Sequence, residues 1–251
     1  MASETEHDPA ASSGHGAPET PAPRQRAKRL PAAERKAVIL REASLFFAKE
    51  GFAASTRDLA DKLGVRQALL YKYFPSKEAL LEAIFEDVLA VHWAMEWAKV
   101  LSDHSLSLEE RLARVYIAHL ENEDGIGLRL FLRAALDGWV LPKRRLALVK
   151  DKLVGPMIAD LRREAKLPGY ETLPLMAGEF ELAMVLHASI IFHSMRAHIY
   201  GGDNIPADTQ SVVRLYVSTF LQGARANLPG LHAADAPACF KVPFGSKKSA
   251  A

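Results

Sequence analysis

The sequence predicts an all-α chain: an N-terminal three-helix domain with a helix-turn-helix, then a larger C-terminal helical domain. Three observations carry this. Apolar residues recur at three- and four-residue spacing, with no two-residue alternation of the strand type. Two short apolar stripes flank a single glycine, Gly64, as in two helices joined by a tight turn. The pairs Pro168-Gly169, Gly201-Gly202 and Pro229-Gly230 divide the remainder into long segments.

With 251 residues, 49% hydrophobic and 25% charged, the chain suits a globular protein with a substantial core. Cys239 is the single cysteine, so no internal disulfide or thiolate metal site is expected, which fits a reducing, cytoplasmic setting. The first residues lack the basic-then-apolar pattern of a signal peptide. The longest apolar run, Leu182 to Phe192, is interrupted by His187 and Ser189 and is too short to span a bilayer, so no membrane role is expected. Net charge is only +2, but it is uneven. Arg24 to Lys77 holds thirteen Lys/Arg against five Asp/Glu, an excess of eight, which leaves −6 for the rest. A basic N-terminal third is the footprint of a phosphate binder.

Residues 1–30 read as a disordered tail, rich in Pro, Ala, Ser and Gly, that ends in a basic arm at Arg24, Arg26, Lys28 and Arg29. Residues 31–77 form the first domain. Its opening helix, Pro31 to Glu50, puts Ile39, Ala43, Phe46 and Phe47 on one face. Ser55 or Thr56 caps a short helix from Arg57 to Leu63, and Gly64 ends it in the left-handed conformation. A second short helix buries Leu70 and Phe74 and stops at Pro75. Ser76 caps a third, running to about Ala98, whose length makes it a lever between the two domains.

Residues 78–230 form the larger domain. Its further helices are predicted at Ser107 to Asn122, from near Gly127 with Leu128, Phe131, Leu132 and Leu136, and at Pro142 to Lys166. The last two run from Leu175 to Tyr200 and from Pro206 to Asn227, the latter stopped by Pro229-Gly230. Residues 231–251 read as a loose tail.

The second short helix is the informative one. Opposite Leu70 and Phe74 it offers Gln67, Ala68, Tyr71 and Lys72: an amide, a small apolar contact, a phenol and a cation. A groove-reading helix needs such base-edge and phosphate donors side by side. An ordinary polar face on a helical bundle is the alternative that these residues alone leave open.

The whole string from Gly51 to Leu80 resembles the DNA-binding domain of the TetR family of bacterial regulators. The matching residues are Gly51-Phe52, Thr56, Asp58-Leu59-Ala60, Gly64-Val65, Leu70-Tyr71-Lys72-Tyr73-Phe74 and Lys77-Glu78-Ala79-Leu80. Arg66, Ala68 and Leu69 depart from the residues frequent in that family. The resemblance implies groove contacts from Arg57, Gln67, Ala68 and Lys72, and phosphate contacts from Thr56, Tyr71, Tyr73 and Lys77. It implies a double-stranded DNA operator and a homodimer formed by the two C-terminal helices, whose apolar stripes are Met184, His187, Ile191 and Met195, and Val213, Tyr216, Val217, Phe220 and Ala224. It also implies an effector-binding and dimerisation role for the larger domain. Tyr116, His119, Phe131, Trp139, Met184, His187 and Phe192 are candidates to line a pocket for a small apolar or aromatic effector.

No catalytic residues, metal ligands or cofactor are expected. Gly125-Ile126-Gly127 lacks the third glycine and preceding strand of a dinucleotide site, and no phosphate-binding loop or nucleophile elbow is present. The gaps from His187 to His193 and from His193 to His198 do not give the four-residue spacing of a helical metal pair. The expected function is therefore a sequence-specific transcriptional repressor released by an effector. An architectural DNA binder without effector, or a helical enzyme with a vestigial helix-turn-helix, are the two alternatives.

Overall fold

The computed structural model describes residues 31–88, 91–203 and 205–244, without the side chains of residues 88 and 91–94. The tail and basic arm read at 1–30 lie outside those residues. The described chain is helical, and its only pairing of extended backbone is one isolated bridge, Met176 with Pro243.

The first helix, α1 (Ala32–Glu50), buries Ile39, Ala43, Phe46 and Phe47. Gly51 then turns the chain at φ +86°, where a side chain would be strained. Helix α2 (Thr56–Lys62) is capped by Ser55, whose Oγ accepts the Asp58 N–H at 3.1 Å. Gly64 leaves α2 at φ +64°, and α3 (Gln67–Tyr73) follows, with Leu70 buried. Ser76 Oγ accepts the Ala79 N–H at 3.0 Å and starts α4 (Lys77–Val88).

The predicted lever is described as α4 and α5 (Val91–Leu101), and residues 89–90 between them lie outside the described residues. The two helices serve different cores. Leu80, Leu81, Ile84 and Phe85 of α4 pack with Phe47, Phe52, Leu59 and Leu70 in a first apolar cluster. Trp97 and Leu101 of α5 belong to a second cluster. Helix α6 (Leu108–Glu121) adds Leu112, Val115 and Tyr116 to that second cluster.

Helix α7 (Ile126–Leu136) sends Leu130 and Ala134 into the first cluster, against α1. Leu136, one of the apolar residues of this helix, is 87% exposed. The helix predicted at Pro142 to Lys166 is present as α8 (Leu141–Val149), a five-residue π segment (Lys150–Val154) and α9 (Gly155–Glu164) in direct succession. The wide turn has a cause in the sequence. Pro156 has no N–H and its ring crowds the preceding turn, and the Gly155 N–H reaches back five residues to the Lys150 oxygen.

Helices α10 (Ala177–His198) and α11 (Thr209–His232) are the longest. The expected stop at Pro229-Gly230 is corrected: α11 runs through both to His232. Burial of Leu228 holds the last turn down, and His232 Nε2 lies 2.9 Å from Glu179 Oε1 on α10. The loose tail is also corrected as far as Phe244. A short helix, α12 (Ala238–Lys241), leads into two backbone bonds, Ala177 N to Val242 O at 2.9 Å and Phe244 N to Leu175 O at 2.8 Å. Phe244 stacks on Phe180 with ring centres 3.8 Å apart.

Candidate nucleic-acid interface and ligand cavity

Helices α2 and α3 are locked together by three side chains. Thr56 is buried, and its Oγ1 lies 2.9 Å from Tyr71 Oη. Gln67 Nε2 donates to the same Oγ1 at 2.9 Å and lies 3.5 Å from Tyr71 Oη. Each group satisfies another, so the crossing of the two helices is set by directional bonds as well as by apolar contact between Leu59 and Leu70 of one core.

This arrangement sorts the eight residues singled out for nucleic acid. Arg57, Ala68, Tyr71 and Lys72 are exposed on α2 and α3. Thr56 Oγ1 and Gln67 Nε2 are engaged in the brace. Tyr73 and Lys77 are half-buried, and Lys77 Nζ lies 6.0 Å from the centre of the Phe47 ring. Arg66, just ahead of α3 and noted in the sequence only as a departure from the family pattern, is a further exposed cation. Its position immediately before α3 was the available signal.

A cavity of about 1020 Å³ lies between the two clusters. Seven helices wall it, with Asp87 the contribution of α4. Leu45 comes from α1, Trp97 from α5, Val115 and His119 from α6, Leu128 and Phe131 from α7, Arg145 from α8, and Met184, His187 and Ile191 from α10. Four of the seven expected pocket residues are therefore in the wall: His119, Phe131, Met184 and His187. Tyr116 stands behind it, with its Oη 3.3 Å from His187 Nδ1. Two placements correct the expectation. Trp139 packs against Phe52 and Phe85 in the first cluster, at ring distances of 5.6 and 5.2 Å. Phe192 is 52% exposed and meets Tyr200 and Arg196 on the surface. It sits one position past Ile191, which turns it away from the wall.

The apolar stripes expected to meet a twin are also placed differently. Met184, His187 and Ile191 face the cavity, and Val213, Val217, Phe220 and Ala224 are buried in the second cluster. The apolar side chains these helices leave in water are Val185 and Phe192 on α10 and Leu215 on α11.

The buried end of the cavity is electrostatically unusual. Burial, with Arg145 second, lowers the His119 pKa to about 4. Burial, then His119 and Arg145, lowers that of His187 to about 3. Burial pushes the Tyr116 hydroxyl up and the Arg145 guanidinium down, while Glu123 acts to raise the latter. His119 Nε2 and Ser194 Oγ are enclosed in protein with no hydrogen-bond partner, and both residues border the cavity. Among the described residues no group of three or more His, Cys, Asp and Glu could hold a metal, and no helix is long and apolar enough to cross a membrane.

Residues 39–84 match the family described as bacterial regulatory proteins, tetR family. A stretch of 90 residues is 33% identical to the HTH-type transcriptional repressor KstR2 of Mycolicibacterium smegmatis, covering 36% of this chain and 43% of that protein. A stretch of 80 residues is 31% identical to the uncharacterized HTH-type transcriptional regulator YvaF of Bacillus subtilis, covering 32% and 42%. These matches span less than half the length of either relative. In fold, the chain is similar to Mycobacterium smegmatis AmtR, with a TM-score of 0.54 and 23% identity over 81% of this chain and 98% of the other. It is likewise similar to the ketosteroid transcriptional regulator KstR2 of Mycobacterium tuberculosis, with 0.53 and 21% over 75% and 94%. The motif residues lie inside the matched segment, and two of them, Thr56 and Tyr71, belong to the brace between α2 and α3. Over residues 39–84 the chain thus carries a helix-turn-helix segment of the tetR type of bacterial regulatory proteins, and the rest of the chain is similar to such regulators in fold.

Proposed function

We propose that the chain is a sequence-specific DNA-binding transcriptional regulator, acting as a homodimeric repressor released by a small apolar effector. The brace of Thr56, Gln67 and Tyr71 carries the reading. It presents α3 as a rigid unit whose Ala68, Tyr71 and Lys72 face outward, with Arg57 and Arg66 beside them. A rigid helix bearing small, phenolic and cationic groups matches the needs of major-groove reading flanked by phosphate contacts. The repressor sign rests on the name of the Mycolicibacterium smegmatis relative.

A single short helix offers little area, so affinity and specificity call for two copies on a two-fold axis. Val185, Phe192 and Leu215 supply apolar surface on α10 and α11 for such a contact. The cavity supplies the effector site, and its existence argues against a purely architectural binder, because protein interiors ordinarily pack without large voids.

Helix α7 supplies the route from effector to DNA. One of its faces carries Leu128 and Phe131 in the cavity wall, and the other packs Leu130 and Ala134 on α1. A ligand that moves α7 therefore disturbs the core that supports α2 and α3. It shifts the balance only as far as its affinity differs between the two states.

Selection of bound sequences from a random duplex library, at low salt, tests the reading. Enrichment of a near-palindrome with half-sites about one helical turn apart is expected. Recovery of an unenriched library would sink it.

A further inference from the structure

We infer that the cavity takes an amphiphilic carboxylate, its head group held by Arg145, His119 and His187 and its apolar body lying along Trp97, Leu128 and Phe131. This deepens the effector reading above and rests on it.

Burial sorts the charges around the cavity. Asp87 on α4, Glu96 on α5 and Asp124 after α6 are exposed, as are Arg41 on α1 and Arg114 on α6. Water screens all five, and Arg114 is engaged by Glu110 at 2.8 Å. Asp124 and the half-buried Glu123, whose carboxylate also acts on the Arg145 guanidinium, have structural duties at the start of α7. Glu123 Oε1 accepts the Gly125 N–H and Asp124 Oδ1 the Ile126 N–H, each at 2.9 Å. The inner end differs. Arg145 from α8, over the Phe131 ring at 5.6 Å, is the cation there, and His119 from α6 and His187 from α10 are the titratable groups beside it.

That inner group has the wrong sign for a cationic ligand and an unmet need that a purely apolar one leaves in place. His119 Nε2 is enclosed and without a partner, which is costly unless a ligand supplies one. A carboxylate meets both conditions. It places negative charge against the guanidinium and accepts hydrogen bonds from imidazole nitrogens. Ser194 Oγ, also enclosed and unpartnered, lies two helical turns beyond His187, about 10 Å along α10. It offers a second anchor for an oxygen on the ligand body. The remaining wall is aromatic and aliphatic and suits a chain or ring system.

The test is calorimetric titration of the full chain with decanoate, decan-1-ol and decyltrimethylammonium. Decanoate is expected to bind tightest, by about ten- to a hundredfold over decanol, the effect of one charge-assisted hydrogen bond. Arg145→Met should erase most of that preference and keep decanol affinity, which also reports an intact cavity. Arg145→Lys should retain the preference, and His119→Gln should reduce it. Equal binding of decanol and decanoate overturns the inference, as does an unchanged preference in Arg145→Met. If none of the three binds while operator binding persists, this inference and the effector reading fail and the DNA-binding reading stands. If decanoate binds selectively but no duplex does, the proposed function fails and this inference stands.

Discussion

Arg133 on α7 donates from Nη2 to the backbone oxygen of Lys49, in the last turn of α1, at 2.8 Å. Its Nε donates to the Ala48 oxygen at 3.2 Å. A guanidinium over the carbonyl end of a helix satisfies orphan acceptors and complements the helix dipole. The fit is close: a Cβ built on Gly51 would lie 2.8 Å from Arg133 Nη1. Arg133→Met is expected to lower stability to urea by about 1–3 kcal/mol, the range for hydrogen bonds to a charged group. An unchanged urea midpoint would show that Arg133 merely rests on the surface of α1.

The brace between α2 and α3 makes a separate prediction. Thr56→Val and Tyr71→Phe each delete one hydroxyl and keep the shape. A double-mutant cycle on stability should return a coupling of about 1 kcal/mol, the net value of a hydrogen bond. Operator affinity should fall in both single variants, because α3 loses its fixed angle to α2. Additive stability effects would mean that the hydroxyls at 2.9 Å contribute independently.

The two buried histidines predict how stability depends on pH. Their folded pKa values, about 4 for His119 and about 3 for His187, lie below the ordinary value of about 6.5 that an unfolded chain shows. Between these limits the unfolded state binds more protons, so stability falls as pH drops through that window. At pH 5 the loss relative to pH 7.5 is expected to be about 2 kcal/mol per histidine. Urea titrations across pH 4.5–7.5 should be flatter for His187→Gln than for the parent chain. Equal slopes would contradict the burial assigned to this ring.

Arg162 and Glu179 form an ion pair with side chains 1% and 0% exposed. The guanidinium also donates to the oxygens of Pro168, Leu173 and Pro174, which fastens the loop before α10. Burial alone would raise the Glu179 carboxyl, but Arg162, the Met176 N–H and His232 together hold it below the usual range. Glu179→Gln leaves the Arg162 charge buried without its counterion and is expected to cost about 3–5 kcal/mol. A thermal melt within a degree of the parent would refute that role.

Local features were legible in the sequence where one segment decides its own structure. Ser55, Gly64 and Ser76 cap or end helices where their chemistry demands, and the helix-turn-helix follows from them. Pro156 and Pro229 were harder, because proline sets a local cost whose outcome depends on packing elsewhere. One yields a π turn and the other is carried through by the burial of Leu228. The cavity was only half legible. Its wall draws on seven helices, so Arg145, Trp97 and Ser194 share no spacing that pattern reading could find. Trp139 and Phe192 failed for the same reason: aromatic character does not tell which of two cores, or which face, a side chain meets. The brace was hidden too, since the sequence reading assigns Thr56 and Gln67 to DNA and gives no sign that the two bond each other.

Hydroxyl-radical footprinting of the selected duplex, bound by the full chain, tests the central claim most directly. The account predicts two protected patches related by a two-fold axis and centred about one helical turn, roughly 34 Å, apart. Both should vanish together in Lys72→Ala at raised salt. A single protected patch, or uniform reactivity along the duplex at low salt, would contradict it.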